Sequence, residues 1–420
     1  MKQNQITSNP FNIIVIVAAL GYFVDIYDLI LFSIVRVPSL KSLGITDALQ
    51  IKDSGILLIN SQMIGMLMGG IVWGILGDKR GRLSVLFLTI LLYSLANIAN
   101  GFVQSLNAYV ALRFIAGFGL AGELGIGITL VSEVMTKESR AWGTSLVSGI
   151  GIAGAVLAYL VSKWGWREAY WAGGVLGLLL LALRIYVNES GMFGKAKEAA
   201  VQRGNFFSLF SSWSKFYKYL CCIFVGIPVW FVIGILVTFS KELGAFMHVQ
   251  GPILPDGSMQ QVEPAVAILW HYTGASLGSV LTGMISQWLR SRKKALLIAI
   301  TSVALCGIWY FSSFGISLYL FYVIIFVLGL TQGYWAIFVT VASEQFGTNI
   351  RSTVTTTVPN FVRGALALMT ILWQYLDKSL GMGIWNSAIV IGGVAITFAI
   401  TSVFFLEETY GKDLDYFEAE

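Results

Sequence analysis

Twelve long apolar runs recur along this chain, each close to the length that crosses a bilayer as a helix. A helix needs about 20 apolar residues to span the hydrocarbon layer. Runs of that kind are predicted near 11–36, 54–77, 82–102, 106–133, 139–163 and 167–188, and again near 218–245, 264–289, 293–313, 316–343, 351–377 and 383–406. Of the 420 residues, 56% are hydrophobic and 12% charged, with a mean hydropathy of +0.77. A water-soluble domain cannot hide that much apolar surface, whereas lipid tails accept it. The 45 glycines and 7 prolines suit closely packed membrane helices. Cys221, Cys222 and Cys306 lie in apolar runs without metal-ligand spacing and read as small buried hydrophobes. The first run is long and carries acids, so it reads as a retained helix and not a cleaved leader.

The basic residues set an expected orientation. With the N-terminus inside, the inner segments hold 17 of the 27 Lys and Arg residues and the outer segments 7, among them Arg36, Lys52 and Lys378. By the positive-inside rule both termini are then cytoplasmic and the helix count is even. The net charge of +5 follows from this clustering and implies no acidic partner. A polar stretch at 189–217 divides the chain into an N-terminal six-helix bundle (1–188) and a C-terminal one (218–406), with a tail at 407–420. An internal repeat supports that division. Ser132-Glu133 precedes Arg140, and Ser343-Glu344 precedes Arg351 at the same spacing, after the fourth and tenth runs.

Several segments carry a resemblance. The second run ends in Gly74-Ile-Leu-Gly-Asp78-Lys79-Arg80-Gly81-Arg82, where glycines permit a tight turn and the bases anchor one membrane face. A worn copy runs from Gly283 to Lys294 and lacks the acid. The fourth run holds Arg113-Phe-Ile-Ala-Gly117-Phe-Gly119. With the two Glu-x6-Arg pairs, these segments resemble the major facilitator superfamily over nearly the whole chain. Asp25-Ile26-Tyr27-Asp28 is similar to the acid-x-aromatic-Asp signature of its proton-coupled organic-acid, sialate and sugar porters. Gly122-Glu123 and Trp164-Gly165-Trp166-Arg167 are similar to segments of the sialate and metabolite:proton symporters. The fifth run, Gly149-Ile-Gly151-Ile-Ala-Gly154, lacks the Gly-Pro element of many drug:proton antiporters, which tilts the reading towards uptake. The implied architecture is an all-α membrane protein of twelve transmembrane helices in two pseudo-symmetric six-helix bundles.

Ionisable residues at membrane depth usually have a partner or a task, because each costs several kcal/mol to insert. Asp25, Asp28, Arg113, Glu123 and Arg363 are placed there. Asp25 and Asp28 share a helix face with Tyr22 and Phe32, and two acids that close cannot both ionise cheaply. One deep cation, Arg113, faces three acids in the first half, so at least one acid is a candidate proton carrier. The resemblance implies that Asp28 pairs with Arg113 and that protonation breaks the pair. The alternative is that Arg113 only braces two helices. Glu123 could carry a proton, face the substrate, or form an interhelical hydrogen bond. Arg363 follows Pro359 and Asn360, where the proline can bend the helix. A guanidinium there could bind a carboxylate through two parallel bonds or pair with another helix. His271, Trp270, Tyr27, Asn360 and Gln332 join Arg363 as candidate substrate contacts. Tyr22, Trp230, Tyr334 and Trp335 are further candidate cavity aromatics, and Pro228 marks a candidate gate. By resemblance, Asp78, Arg82, Glu133, Arg140, Glu344 and Arg351 form a charge network that closes the inner side.

The resulting expectation is a monomeric transporter of a bacterial inner membrane. The proton is its coupling ion, with no other cofactor and no metal, and its partners are a small-molecule substrate and lipid, not nucleic acid. Protons would drive uptake of a small organic anion, a carboxylic or sugar acid or a polycarboxylate siderophore. The alternatives are a proton-driven exporter or a uniporter. A membrane enzyme is disfavoured, since two histidines leave little room for a nucleophile with its base. No phosphate loop for ATP is present.

Overall fold

A computed structural model describes residues 13–80, 82–123, 125, 131, 134–136, 140–183 and 206–412. Glu133, most of the expected linker and the end of the tail lie outside the described residues, as do the side chains of Arg82 and Arg140.

The first bundle is built from α1 (Ile13–Ser42), α2 (Ala48–Arg80), α3 (Arg82–Asn100), α4 (Leu106–Leu120), α5 (Arg140–Ile152) with its continuation α6 (Gly154–Ser162), and α7 (Trp166–Leu183). The second holds α8 (Trp213–Phe231), which runs through a π-helical turn (Val232–Val237) towards α9 (Ser240–Phe246). It continues with α10 (Pro264–Trp288), α11 (Arg292–Phe311), α12 (Leu318–Thr331), α13 (Trp335–Gln345), α14 (Arg351–Gln374) and α15 (Gly383–Phe405). Seven described stretches, including Val15–Ser42, Ala48–Arg80 and Gly383–Phe405, are long and apolar enough to cross a membrane. The all-α membrane architecture of the sequence reading is present, with six helices in each half once the interrupted runs are joined.

Serines start several helices. Ser105, Ser212, Ser291 and Ser317 each accept the N–H of the residue three positions on, which satisfies one of the donors a helix leaves unpaired. The cap at Ser212 starts α8 inside the stretch expected to be linker. Pro228 sits within α8, and the π-helical turn begins one turn later. A wider turn absorbs the ring that a regular helix cannot place.

Arg36 and Lys52, which the charge pattern puts in outer segments, lie near the ends of α1 and α2 and are buried. Burial is tolerated because each meets an acid of the other bundle and lies over an aromatic ring, Phe239 for Arg36 and Trp373 for Lys52.

Candidate functional site

The bundles meet around a central cavity. Its wall takes Tyr22 and Ile26 from α1, Val229, Trp230 and Ile233 from α8 and its π-helical turn, and His271 and Tyr272 from α10. Gln332 comes from the turn between α12 and α13, Trp335 from the start of α13, and Arg363 from α14. The cavity measures about 30 Å³. That suits about two waters and is too small for an organic molecule.

Arg363 dominates the wall. Its Nη2 lies 3.8 Å from Asp25 Oδ2, an ion pair between bundles in which neither side chain exceeds 1% exposure. Its Nη1 donates to Asn360 Oδ1 at 3.2 Å. The rings of Trp335 and Trp230 lie 5.7 and 6.0 Å from the guanidinium carbon. Asn360 in turn donates from Nδ2 to the carbonyls of Ala121 and Thr356, both at 2.7 Å. Asn360 thus positions Arg363 while tying α14 to the end of α4.

Buried polar atoms normally have partners, so those without one mark where a ligand or water belongs. Among the described residues, Arg363 Nε, Trp230 Nε1 and Trp335 Nε1 are buried donors with no hydrogen bond, and Gln332 Oε1 is a buried acceptor without one. His271 lies beside the Ile325 backbone, and neither ring nitrogen reaches full hydrogen-bond geometry. Two indole donors beside a cation whose own Nε has no hydrogen bond favour an anion.

Other candidates lie elsewhere. Trp270 is 43% exposed and packs against Phe326 of α12. It does not reach the cavity, because neighbouring helical residues point about 100° apart. Tyr27 donates to the Ala169 carbonyl at 2.8 Å and braces α1 against α7. Tyr334 donates to Val225. Gln332 does line the cavity and donates to the Pro228 carbonyl at 3.3 Å.

The first-bundle charges also differ from expectation. Arg113 donates to Gln62 Oε1 and lies over the rings of Phe32 and Tyr170. No ion pair joins it to Asp28 among the described residues, because Gln62 takes the guanidinium instead. Asp28 is fully buried, and neither of its oxygens has a hydrogen-bond partner there. Glu123 is buried where the chain leaves α4.

The bundles touch on both sides of the cavity. On the side where α1 begins and α15 ends, Asp78 Oδ2 accepts the Thr353 N–H and hydroxyl, both at 2.6 Å, at the first turn of α14. Thr340 donates to Thr144 at 3.0 Å. Within the second bundle, Glu344 is held by Arg292 at 3.5 Å and by the Thr409 hydroxyl at 2.7 Å. Arg351 donates to the carbonyls of Ser343 and Phe346 and to Thr348. On the far side Arg36 pairs with Glu242 at 3.0 Å, Lys378 with Asp53 at 3.1 Å and Lys52 with Asp377 at 3.4 Å. The described residues thus form an occluded arrangement. Sequence reading missed the far-side latch; the available signal was acids and bases at the outer ends of four apolar runs.

The family model described as Major Facilitator Superfamily matches residues 18–248. The "Probable 4-methylmuconolactone transporter" of Cupriavidus pinatubonensis is 25% identical over 406 residues, covering 93% of this chain and 89% of its own. The cis,cis-muconate transport protein of Acinetobacter baylyi is 26% identical over 435 residues, covering 97% and 98%. Among solved structures, the proton:xylose symporter XylE bound to 6-bromo-6-deoxy-D-glucose superposes with a TM-score of 0.70 at 17% identity, covering 96% of this chain and 97% of its own. At that identity the likeness speaks for the fold alone.

Proposed function

Because this chain belongs to the major facilitator superfamily, a family of membrane transporters, we propose that it carries a small organic anion inward together with a proton. One observation carries the reading: the cavity surrounds a buried arginine with unpartnered donors and is walled by aromatic rings. A carboxylate would take the free edge of Arg363, and the rings of Trp230 and Trp335 would flank an unsaturated or aromatic body. The muconate protein among the relatives carries an anion of that kind.

The Asp25–Arg363 pair supplies the coupling. A substrate carboxylate competes with Asp25 for one guanidinium. The displaced Asp25 is left buried without its counter-charge, and a proton neutralises it at least cost. Asp28, with no ion-pair partner among the described residues, is the second proton site. Each latch makes its contacts in one state and loses them to water in the other, which gives alternating access its differential energy. In this reading the protein is a monomer in a bacterial inner membrane, with both termini in the cytoplasm and the Asp78–Thr353 contact on the cytoplasmic side.

The test uses purified protein in liposomes with an internal pH-sensitive dye. Adding an external unsaturated or aromatic carboxylate should acidify the interior, and Asp25→Asn should abolish that signal. Substrate entry that stops at equilibrium, without proton movement, would overturn the symport reading and favour a uniporter.

A further inference from the structure

A second buried polar row runs through the first bundle, outside the central cavity. It begins near the far-side end of α1, where Ser39 Oγ donates to the Arg36 carbonyl at 3.1 Å and lies 3.5 Å from the Tyr109 hydroxyl. The Tyr109 and Tyr170 hydroxyls share a hydrogen bond of 2.7 Å. One turn beyond Tyr170 on the same face of α7 is Gly173, where an added Cβ would strike Asp28 Oδ1. One further turn on is Gly177, where it would strike Ser94 Oγ. The two glycines thus leave polar atoms facing a helix surface that any side chain would fill.

Ser39, Tyr109, Tyr170, Asp28, Ser94 and Asn97 are all fully buried. Among the described residues, both Asp28 oxygens, both Asn97 side-chain polar atoms and Ser94 Oγ have no hydrogen-bond partner. Asn97 lies close enough to Asp28 to interact, yet outside hydrogen-bond geometry. At membrane depth such groups must be satisfied internally, and the gaps between them are where ordered water belongs. Arg113 and Asp25 are the charged groups that bear on Asp28. Neither Asp28 nor either tyrosine lines the central cavity.

We propose that this row is a water-bearing seam that delivers the proton from the far side to Asp28, apart from the substrate path. The inference rests on the proton-coupled reading above. Each step moves one proton: water gives a proton to the Tyr109 oxygen as that hydroxyl passes its own to Tyr170. Tyr170 passes its proton to the water beside Asp28, and that water protonates the carboxylate. Rotation of the two O–H bonds restores the starting state, so the net change is one proton moved from solvent to Asp28.

The test compares wild type with Tyr109→Phe and Tyr170→Phe in liposomes, using a carboxylate that acidifies the wild-type interior. Gradient-driven accumulation should fall at least tenfold, while substrate counterflow, which needs no net proton movement, should change less than twofold. Unchanged accumulation in both variants would overturn the seam while leaving symport intact. A wild type that accumulates substrate without acidification would remove the symport reading and the seam with it. A measurement on the wild type keeps the seam testable if neither variant folds. Radiolytic hydroxyl labelling in heavy-oxygen water should mark buried Tyr109 and Tyr170 alongside exposed Tyr319, because bound water is the local radical source. Labelling of Tyr319 alone would overturn the proposal.

Discussion

Asp25 and Arg363 meet across the two bundles, Oδ2 to Nη2 at 3.8 Å, with both side chains buried. A buried pair this long is poor evidence for stability, since desolvation offsets most of its attraction. It suits a contact made to be exchanged for a ligand. Arg363→Lys keeps the charge and loses the fork. It should raise KM for the transported carboxylate at least tenfold, about 1.4 kcal/mol of lost binding. An unchanged KM would argue that the substrate never touches this residue.

The two tryptophan environments separate cavity from lipid face. Trp335→Phe removes a free indole donor and part of the wall beside Arg363, and should weaken uptake roughly five- to tenfold through KM, about 1 kcal/mol. Trp270→Leu alters an exposed ring and should leave KM within twofold. Uptake kinetics of the pair check both; equal effects would mean the wall is wrongly placed.

The far-side latch has a stability signature. Glu242→Gln leaves the Arg36 guanidinium buried without its counter-charge. Because Glu242 is itself 23% exposed, the expected cost is modest, about 2 kcal/mol. It should appear as a lower melting temperature in detergent and as faster labelling of a cysteine placed at Ser33 from the far side. Labelling at the wild-type rate would show that the latch does not hold that side shut.

Asp78 ties α2 to the start of α14 by accepting both polar hydrogens of Thr353. Asp78→Asn turns one acceptor oxygen into a donor at that contact. The maximal transport rate should fall about tenfold with little change in KM, because the change acts on the switching equilibrium and not on the cavity. A matched rise in KM would point to the cavity instead.

The docking of 407–412 after α15 should respond to pH through Glu408. Burial alone would push the Glu408 carboxyl up. The Ser291 hydroxyl and the N–H groups of Arg292, Tyr410 and Lys293 outweigh it and hold the carboxyl below its ordinary value of 4.5. A depressed carboxylate contributes its stabilisation above the unfolded value and loses it as pH falls through the folded one. The docking of 407–412 on the start of α11 should therefore be intact at pH 7 and be released only below about pH 4. Trypsin cleavage at Lys412 after brief acid exposure reads this, and Glu408→Gln should cleave faster at pH 7. Acid release at pH 6 would contradict the assignment.

The sequence by itself determined the spans, the division into two bundles and the identity of the deep charges. These are local properties: apolar length matched to a bilayer and the cost of a charge in lipid are both written within about thirty residues. Arg363, Gln332 and His271 were legible for that reason. Only the tertiary structure decided their partners. It set Asp25 against Arg363, gave Arg113 to Gln62, turned Trp270 outward and closed the far side through Arg36 and Glu242. Those choices depend on how two bundles of similar pattern rotate and pack against each other. A helix face fixes which residues could meet, but contacts between residues two or three hundred positions apart follow from side-chain fit across the interface, which no local periodicity encodes.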